Sequence, residues 1–226
     1  GYDYIKEENG NPILNDEGTK YLITDTRVPI GNASPKFLWG LNGTWTYRNL
    51  TLSALIDSKI GGDIYCGTYV ISMQTGQSPE TLLERDGGGL PYTDPDGNVS
   101  NTGVILEGVH QDGTVNTEVV HYYYKYMPNY GGWGKFLSTS GIIEDTWIKL
   151  REVAVVYNIP RKYITRMKFV QEIGISFVCR DVGYIYSSVP DKINPEGING
   201  SGNAQGFEWA SLPGCRSFSF GIKARF

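Results

Sequence analysis

Two histidines, His110 and His121, are the residues of this sequence best suited to acid–base or metal chemistry near neutral pH. Three acidic residues lie close to them along the chain: Glu107, Asp112 and Glu118. The spacing lacks the H-E-x-x-H pattern that places two imidazoles on one face of a helix. We therefore expect solvated loop residues here, and we expect neither a metal nor another cofactor.

Two glycine-containing stretches begin like ligand-binding loops but do not complete the pattern. The segment TDPDGN, residues 93 to 98, starts like a calcium loop, yet its glycine comes too early and no Glu follows at the twelfth place. The segment DGGG, residues 86 to 89, lacks the Lys of a phosphate loop and a preceding strand. Both predict turns. Because no nucleophile–base pair or paired carboxylates occur elsewhere, we name no catalytic residue and do not expect an enzyme.

The aromatic run HYYYKYMPNYGGW, residues 121 to 133, is the segment best suited to recognition. Tyr and Trp offer flat faces and hydrogen-bond donors, which suit a sugar or a peptide. The candidate ligand-binding residues are four aromatic residues of this run and a nearby arginine: Tyr123, Tyr126, Tyr130, Trp133 and Arg85. In the competing interpretation these aromatics are the internal core of a long loop.

The composition favours an all-β fold and excludes some partners. The 226 residues include 29 Gly and 16 Tyr but only 3 Met, which is typical of strands and turns. A net charge of −4 without a basic run excludes a nucleic-acid partner. The three cysteines are widely spaced and form no C-x-x-C pattern, so they indicate neither a zinc site nor a dense disulfide framework.

Five segments alternate apolar and polar residues with the period of a β-strand. Only Arg48 and Asn49 separate the first two runs, which predicts a tight hairpin. In the third segment Lys149, Arg151 and Val153 are spaced two residues apart, so a regular strand would place charged and apolar side chains on one face. The orientation of this strand is therefore ambiguous, and a bulge is possible. The predicted strands are residues 37 to 47, 49 to 57, 146 to 158, 169 to 180 and 217 to 226.

The connections alternate between short and long, which indicates an outer-membrane β-barrel. A structureless loop as long as residues 58 to 145 is uncommon in a compact soluble domain. In outer-membrane barrels, short periplasmic turns and long outer loops are the rule. This orientation places residues 1 to 36, 58 to 145 and 181 to 212 outside the cell.

Strand parity divides the side chains between two environments. One face is expected to contact lipid and contains Phe37, Trp39, Trp45, Leu52, Ile175, Phe220 and Ile222. The other face is expected to line the lumen and contains Thr44, Thr46, Ser53, Glu172, Ser176 and Lys223. The sequence ends on SFSFGIKARF, so the last strand is expected to reach the periplasmic rim, with Phe226 in the lower aromatic girdle. The residues expected to serve membrane anchoring or assembly are Phe226, Phe220, Trp39 and Trp45.

Four ordered patterns resemble the C-terminal end of the SusC/RagA-like TonB-dependent transporters of Bacteroidetes outer membranes. They are IGNASPKFLWGLNGTWTYRNLTLSALIDSKIGGDIY, EDTWIKLREVAVVYNIP, ISFVCRDVGYIY and LPGCRSFSFGIKARF. Asp181 stands where the third pattern of the family usually has Asn. The resemblance implies that residues 1 to 226 are the C-terminal segment of a large transmembrane antiparallel β-barrel, with about five strands visible and residues 58 to 145 as a large extracellular loop. The plug and the earlier strands are expected upstream.

The resemblance also implies a function and a set of partners. It implies import of oligosaccharides or peptides across the bacterial outer membrane, driven by the TonB complex through the upstream region. A SusD-like surface lipoprotein is the expected partner above the pore, and the lipid bilayer surrounds the barrel. An alternative from another class stays open: a secreted, aromatic-rich β-sandwich acting as a carbohydrate-binding module, because buried strands in two sheets also alternate.

Overall fold

The computed structural model describes residues 1–126, 138–165, 167, 169–198, 200, 202 and 205–226. Strands dominate these residues and the helices are short, as an all-β fold class predicts. The strands are β1 Phe37–Tyr47, β2 Leu50–Ile60, β3 Asp63–Cys66, β4 Leu90–Thr93, β5 Val99–Ile105, β6 Val119–His121, β7 Ile142–Glu144, β8 Trp147–Asn158, β9 Glu172–Ser187, β10 Phe207–Glu208 and β11 Ser217–Arg225. The helices are α1 Gly67–Gln74, α2 Tyr123–Tyr126 and α3 Arg161–Ile164.

None of the helices in the described ranges is long and apolar enough to cross a membrane. The chain divides into two compact units. We call residues 34–62, 144–197 and 211–226 the sheet unit, and residues 1–33, 63–143 and 198–210 the loop unit.

The sheet unit is built on five strands in the order β1-β2-β8-β9-β11. All four strand pairs are antiparallel. Each of the five strands predicted from alternation is present, and β1 has the predicted bounds. Arg48 forms the hairpin turn with φ 53°, a left-handed conformation that matches the strand twist. Among the described strands, β1 pairs only with β2 and β11 only with β9, so this sheet is not a closed barrel.

A bulge in β8 resolves the ambiguous facing of the third predicted strand. Leu55 pairs with Glu152 but Ile56 pairs with Leu150, which leaves Arg151 as an extra residue. Because an extra residue reverses parity, Lys149 and Val153 lie on opposite faces of the sheet. The next strand, β9, continues to Ser187 rather than ending at residue 180. Its pairing with β8 is irregular at Asp181 and near Tyr184, and the strand continues past both places. Asp181 has φ 51°, a conformation that Asp tolerates better than most residues.

The loop unit has its own secondary structure and a small core. The expected large loop at residues 58 to 145 begins with the last residues of β2, and its larger part folds together with residues 1–33 and 198–210. One three-stranded sheet has the order β4-β5-β6 and another the order β10-β3-β7. The core consists of four buried side chains with tyrosines packed against them: Leu14, Val104, Leu106 and Val120. Tyr21 and Ile23 form isolated antiparallel bridges with Leu14 and Tyr4.

Candidate functional site

The face of the five-stranded sheet that is expected to contact lipid is a continuous apolar surface. The strand register aligns Trp45, Leu52, Val155, Phe177 and Phe220 in one row across all five strands. The next row contains Tyr47, Leu50, Tyr157, Ile175 and Ile222. Phe220 and Ile222 are 81% and 80% exposed, and Phe177 packs against Phe220 with ring centroids 5.0 Å apart. The residues expected on the lipid face therefore lie on one side of the sheet.

The residues named for anchoring belong to this surface or lie next to it. Trp39 is 37% exposed and Trp45 is 54% exposed. The Trp45 ring stacks on Tyr47 with centroids 5.8 Å apart. Phe226 follows the end of β11 and is 77% exposed.

The opposite face of the sheet is polar and holds the residues expected in the lumen. The hydroxyls of Thr46 and Thr51 lie 3.2 Å apart across the first hairpin, and the Arg180 guanidinium donates to Glu152 at 2.8 Å. At the end of the sheet near α3 this face has a depression of about 390 Å³, lined by Val156, Asn158, Glu172, Gly174, Ser176, Lys223 and Arg225. Such a surface suits contact with water or polar solutes.

An ion network is centred on the β8 bulge. The Arg151 guanidinium holds the Glu196 carboxylate with two hydrogen bonds of 2.7 and 3.1 Å. It also lies 2.8 Å from Asp57 and 3.4 Å from Asp181. Because the bulge leaves Arg151 without a cross-strand partner on β2, its side chain can reach carboxylates of β2, β9 and the segment after β9.

Glu196 docks the segment after β9 onto this network. Its carboxylate accepts hydrogen bonds from Lys149 at 2.7 Å and from Tyr184 at 2.8 Å. Lys149 is itself 6% exposed and also pairs with Asp181 at 2.8 Å. Burial alone would raise the pKa of Glu196, but hydrogen bonds from Arg151, Lys149 and Tyr184 together lower it to about 2. Glu196 is therefore ionised at neutral pH.

Of the sequence-predicted ligand residues that the structure describes, Tyr126 and Arg85 are held by hydrogen bonds within the loop unit. Tyr126 is 6% exposed, and its hydroxyl lies 2.7 Å from both the Glu84 carboxylate and the Glu80 carbonyl. Arg85 donates to the Gly76 carbonyl at 2.7 Å. The competing interpretation, aromatics as the core of the loop, therefore describes Tyr126.

Of the other three predicted ligand residues, the structure describes only Tyr123. Tyr123 is 44% exposed and packs edge-on against Tyr124 with centroids 6.1 Å apart. Tyr130 and Trp133 lie outside the described residues. A ligand role for these three residues stays a prediction.

The two histidines contact protein groups, and the TDPDGN segment is closed by its own hydrogen bonds. His110 Nδ1 lies 3.1 Å from the Asn15 carbonyl oxygen, and the His121 ring packs on Tyr122 with centroids 4.4 Å apart. Burial lowers the pKa of His121. Asp94 accepts backbone hydrogen bonds from Asp96 at 3.0 Å and from Asn98 at 2.8 Å, which is the predicted turn.

A pocket of about 520 Å³ in the loop unit is the candidate binding site, and we call it the ring-lined pocket. Its apolar wall includes Tyr65 on β3 together with Phe207 and Trp209 at β10. Tyr65 pairs with Phe207 in the parallel β3–β10 ladder, and their ring centroids are 5.6 Å apart. Arg27, Asp63, Ser138 and Gln205 also line the pocket and supply polar groups.

A buried carboxylate fixes the strand that carries Phe207 and Trp209. Glu208 is 1% exposed and accepts hydrogen bonds from the Thr68 hydroxyl at 2.7 Å, the Thr68 amide at 3.2 Å and Cys66 Sγ at 3.2 Å. The Thr68 hydroxyl also accepts from the Ala210 amide at 2.7 Å. Since successive strand residues point to opposite sides, burial of Glu208 turns Phe207 and Trp209 toward the pocket.

Sequence reasoning missed this pocket because its strand is only two residues long. The segment GFEWA, residues 206 to 210, places a carboxylate between two aromatics, which is a strand alternation too short to stand out in a polar region. Phe207 and Trp209 are each 50% exposed, so they are available to a ligand as well as to their neighbours.

A comparison with solved structures shows a similar fold. No family model matches the sequence, and no curated protein matches it. Among solved structures, the chain is similar to part of the RagAB peptide importer in its closed-closed state, with a TM-score of 0.52 and 12% sequence identity. The match covers 99% of this chain and 21% of that one. The chain thus has the fold of a segment of that importer and spans about a fifth of its length.

Proposed function

We propose that this chain is the C-terminal barrel segment of a SusC-like, TonB-dependent importer in a bacterial outer membrane. The observation that carries the proposal is the five-stranded sheet, whose apolar face stays exposed across every strand while the other face is polar. In water, exposing a large aromatic or aliphatic side chain forfeits roughly 1.5 to 3 kcal/mol of burial free energy. A lipid environment removes this cost, and a closed barrel satisfies the edges of β1 and β11.

The fold similarity to the RagAB peptide importer supports the same proposal. On this proposal β1, β2, β8, β9 and β11 span the membrane, and further strands of the same protein complete the barrel. Phe220, Trp39 and Trp45 contact lipid, with Phe226 at the rim. The loop unit lies outside the cell, where it meets the ligand or a SusD-like lipoprotein. The imported ligand is an oligosaccharide or a peptide, and the chain performs no covalent chemistry.

Fractionation of cells that produce the full-length protein tests the proposal. We expect the protein in the outer-membrane fraction, extractable only with detergent, and we expect the folded barrel to migrate faster than the heated form in a denaturing gel. Deletion of its gene should abolish growth on the imported ligand. Recovery of the native protein in the aqueous fraction would overturn the proposal and favour the secreted carbohydrate-binding module.

A further inference from the structure

The ring-lined pocket contains three aromatic side chains held side by side on a two-stranded ladder. The Tyr65 and Trp209 rings are within 8° of parallel, with centroids 6.5 Å apart. The Phe207 ring is tilted by 45° relative to Tyr65. All three rings line the pocket, the planes of Tyr65 and Trp209 are near-parallel, and Phe207 lies beside Tyr65 at an angle.

Two glycines keep these rings in place. A Cβ atom on Gly67 would overlap the Trp209 ring, so the indole packs directly against the chain at Gly67. A Cβ atom on Gly141 would lie 2.7 Å from Cε2 of Tyr65, closer than real contacts allow. Together with the buried Glu208, these close approaches fix the rings before any ligand arrives, which lowers the entropic cost of binding.

The charged side chains that line the pocket are one cation and one anion. Arg27 supplies one positive charge, and its guanidinium lies 6.0 Å from the centre of the Tyr2 ring. Asp63 supplies one negative charge, and its carboxylate accepts from the Asn32 amide at 2.7 Å. Gln205 and Ser138 add neutral polar groups. One cation and one anion beside rings and amides suit a neutral ligand with many hydroxyls better than a charged one.

In the described part of the chain, both edges of the β3–β10 ladder at this pocket are already paired. β3 has β10 on one side and β7 on the other, and the outer side of β10 forms a bridge between Ile198 and Glu208. Extended peptides are recognised mainly through main-chain hydrogen bonds to a free sheet edge. The pocket therefore favours a ligand that stacks on the ring faces over one that extends the sheet.

We propose that the ring-lined pocket binds the pyranose rings of a neutral oligosaccharide, with Tyr65 and Trp209 as stacking surfaces and Asp63 and Arg27 as hydroxyl partners. The pocket volume of about 520 Å³ lies in the range of small-ligand sites. This inference rests on the proposed function, because it names the ligand class of the same importer.

Binding to the purified full-length protein in detergent tests the inference. The probes are maltohexaose, cellohexaose and mannohexaose, with a tryptic casein digest as the peptide probe, measured by calorimetry. We expect at least one hexasaccharide to bind, and we expect Trp209→Ala to weaken that binding about tenfold or more, the order of one lost stacked ring. Trp209→Phe should retain most of the affinity. Tyr163→Ala, which removes an exposed tyrosine of the sheet unit, is the matched control and should leave it unchanged.

A second readout does not depend on the folding of Trp209→Ala. Bound sugar should change the tryptophan fluorescence of the wild-type protein, and this change should shrink in Trp209→Phe although the affinity persists. Unaltered affinity in a folded Trp209→Ala, or no binding of any of the three hexasaccharides, overturns the inference. Fractionation separately reports the fate of the proposed function, because sugar binding can fail in a protein that is located in the outer membrane.

Discussion

The loop unit encloses a small apolar core, whereas the sheet unit carries a continuous exposed apolar face. In the loop unit Leu14 and Leu106 are 0% and 2% exposed, although other aliphatic side chains such as Leu83 and Val115 lie at the surface. In the sheet unit Phe220 and Ile222 are about four-fifths exposed, whereas Lys149 is 6% exposed within an ion network. Burial away from water accounts for the first arrangement. On the proposed function, the second is stabilised by contact of the apolar face with lipid.

The largest expected effect comes from placing a charge on the apolar face of the sheet. Ile175 lies in the second aromatic and aliphatic row, between Tyr157 and Ile222 in the register. An arginine there should destabilise the membrane-inserted barrel by about 2 to 4 kcal/mol if the position is near the bilayer midplane. The measurement is the folded fraction of the full-length protein in lipid vesicles across a urea titration.

The neighbouring residue provides the control for that substitution. Ser176 faces the polar depression, where an added arginine meets water and polar groups. We expect Ser176→Arg to be tolerated far better than Ile175→Arg. The reverse order would mean that the faces are inverted, and equal small effects would mean that lipid contacts neither face.

The sequence predicts the sheet better than the loop unit for a physical reason. Period-2 alternation with a two-residue turn at Arg48 predicts the first hairpin and the faces of its two strands from local information alone. The bulge at Arg151 could be suspected but not placed, because its position depends on carboxylates that come from three different elements. The ring-lined pocket depends on the pairing of Tyr65 with Phe207, which are far apart in sequence.

The candidate site was predicted from aromatic density, which does not distinguish a core from a binding surface. Tyr126 belongs to the densest aromatic run but is buried through its hydroxyl contact with Glu84. Trp209 lies in a sparse segment yet lines the pocket. Long-range hydrogen bonds decide these roles, and the sequence does not display them.

The second prediction concerns the close packing that distinguishes the loop unit. Gly67→Ala should push the Trp209 ring out of its position and destabilise the loop unit by about 1 to 3 kcal/mol, as overpacking usually does. Faster hydrogen exchange at β3 and β10 in the full-length protein is the measurement. Gly43→Ala in β1 is the control, because nothing lies within 4 Å of a Cβ at that position. Equal exchange in both variants would show that the Trp209 contact with Gly67 does not fix the pocket.

The third prediction concerns the ion network of the sheet unit. Glu196→Gln removes the anion that Arg151 and Lys149 share, so the segment after β9 should lose about 1 to 2 kcal/mol of local stability. Hydrogen exchange across residues 188 to 197 would report the loss. If the protection of these amides is unaltered, the network does not hold the segment in place.

The same carboxylate predicts the direction of a pH effect. The pKa of Glu196 is lowered from 4.5 to about 2 in the folded protein, so its ionised form stabilises the fold above about pH 4.5. That contribution should disappear as the pH falls from about 4.5 toward 2. Protection of residues 188 to 197 should decline over this range in the wild type and vary less in Glu196→Gln. An identical pH profile in both proteins would contradict the assignment.

The smallest effect on stability is expected at the ion pair between Glu152 and Arg180 on the polar face. It also joins a carboxylate to a basic side chain, but it is more exposed than the Glu196 network. Glu152 accepts from Arg180 at 2.8 Å, yet the arginine side chain is 65% exposed, whereas the side chain of Lys149 in the Glu196 network is 8% exposed. Exposed pairs gain little because water screens the charges and two long side chains lose freedom. Glu152→Gln should therefore leave the urea midpoint unchanged within error, at low and at high salt. A clear, salt-sensitive loss would show that water is excluded around Glu152. The exposure of the side chains would then fail to explain the contrast between the two ion pairs.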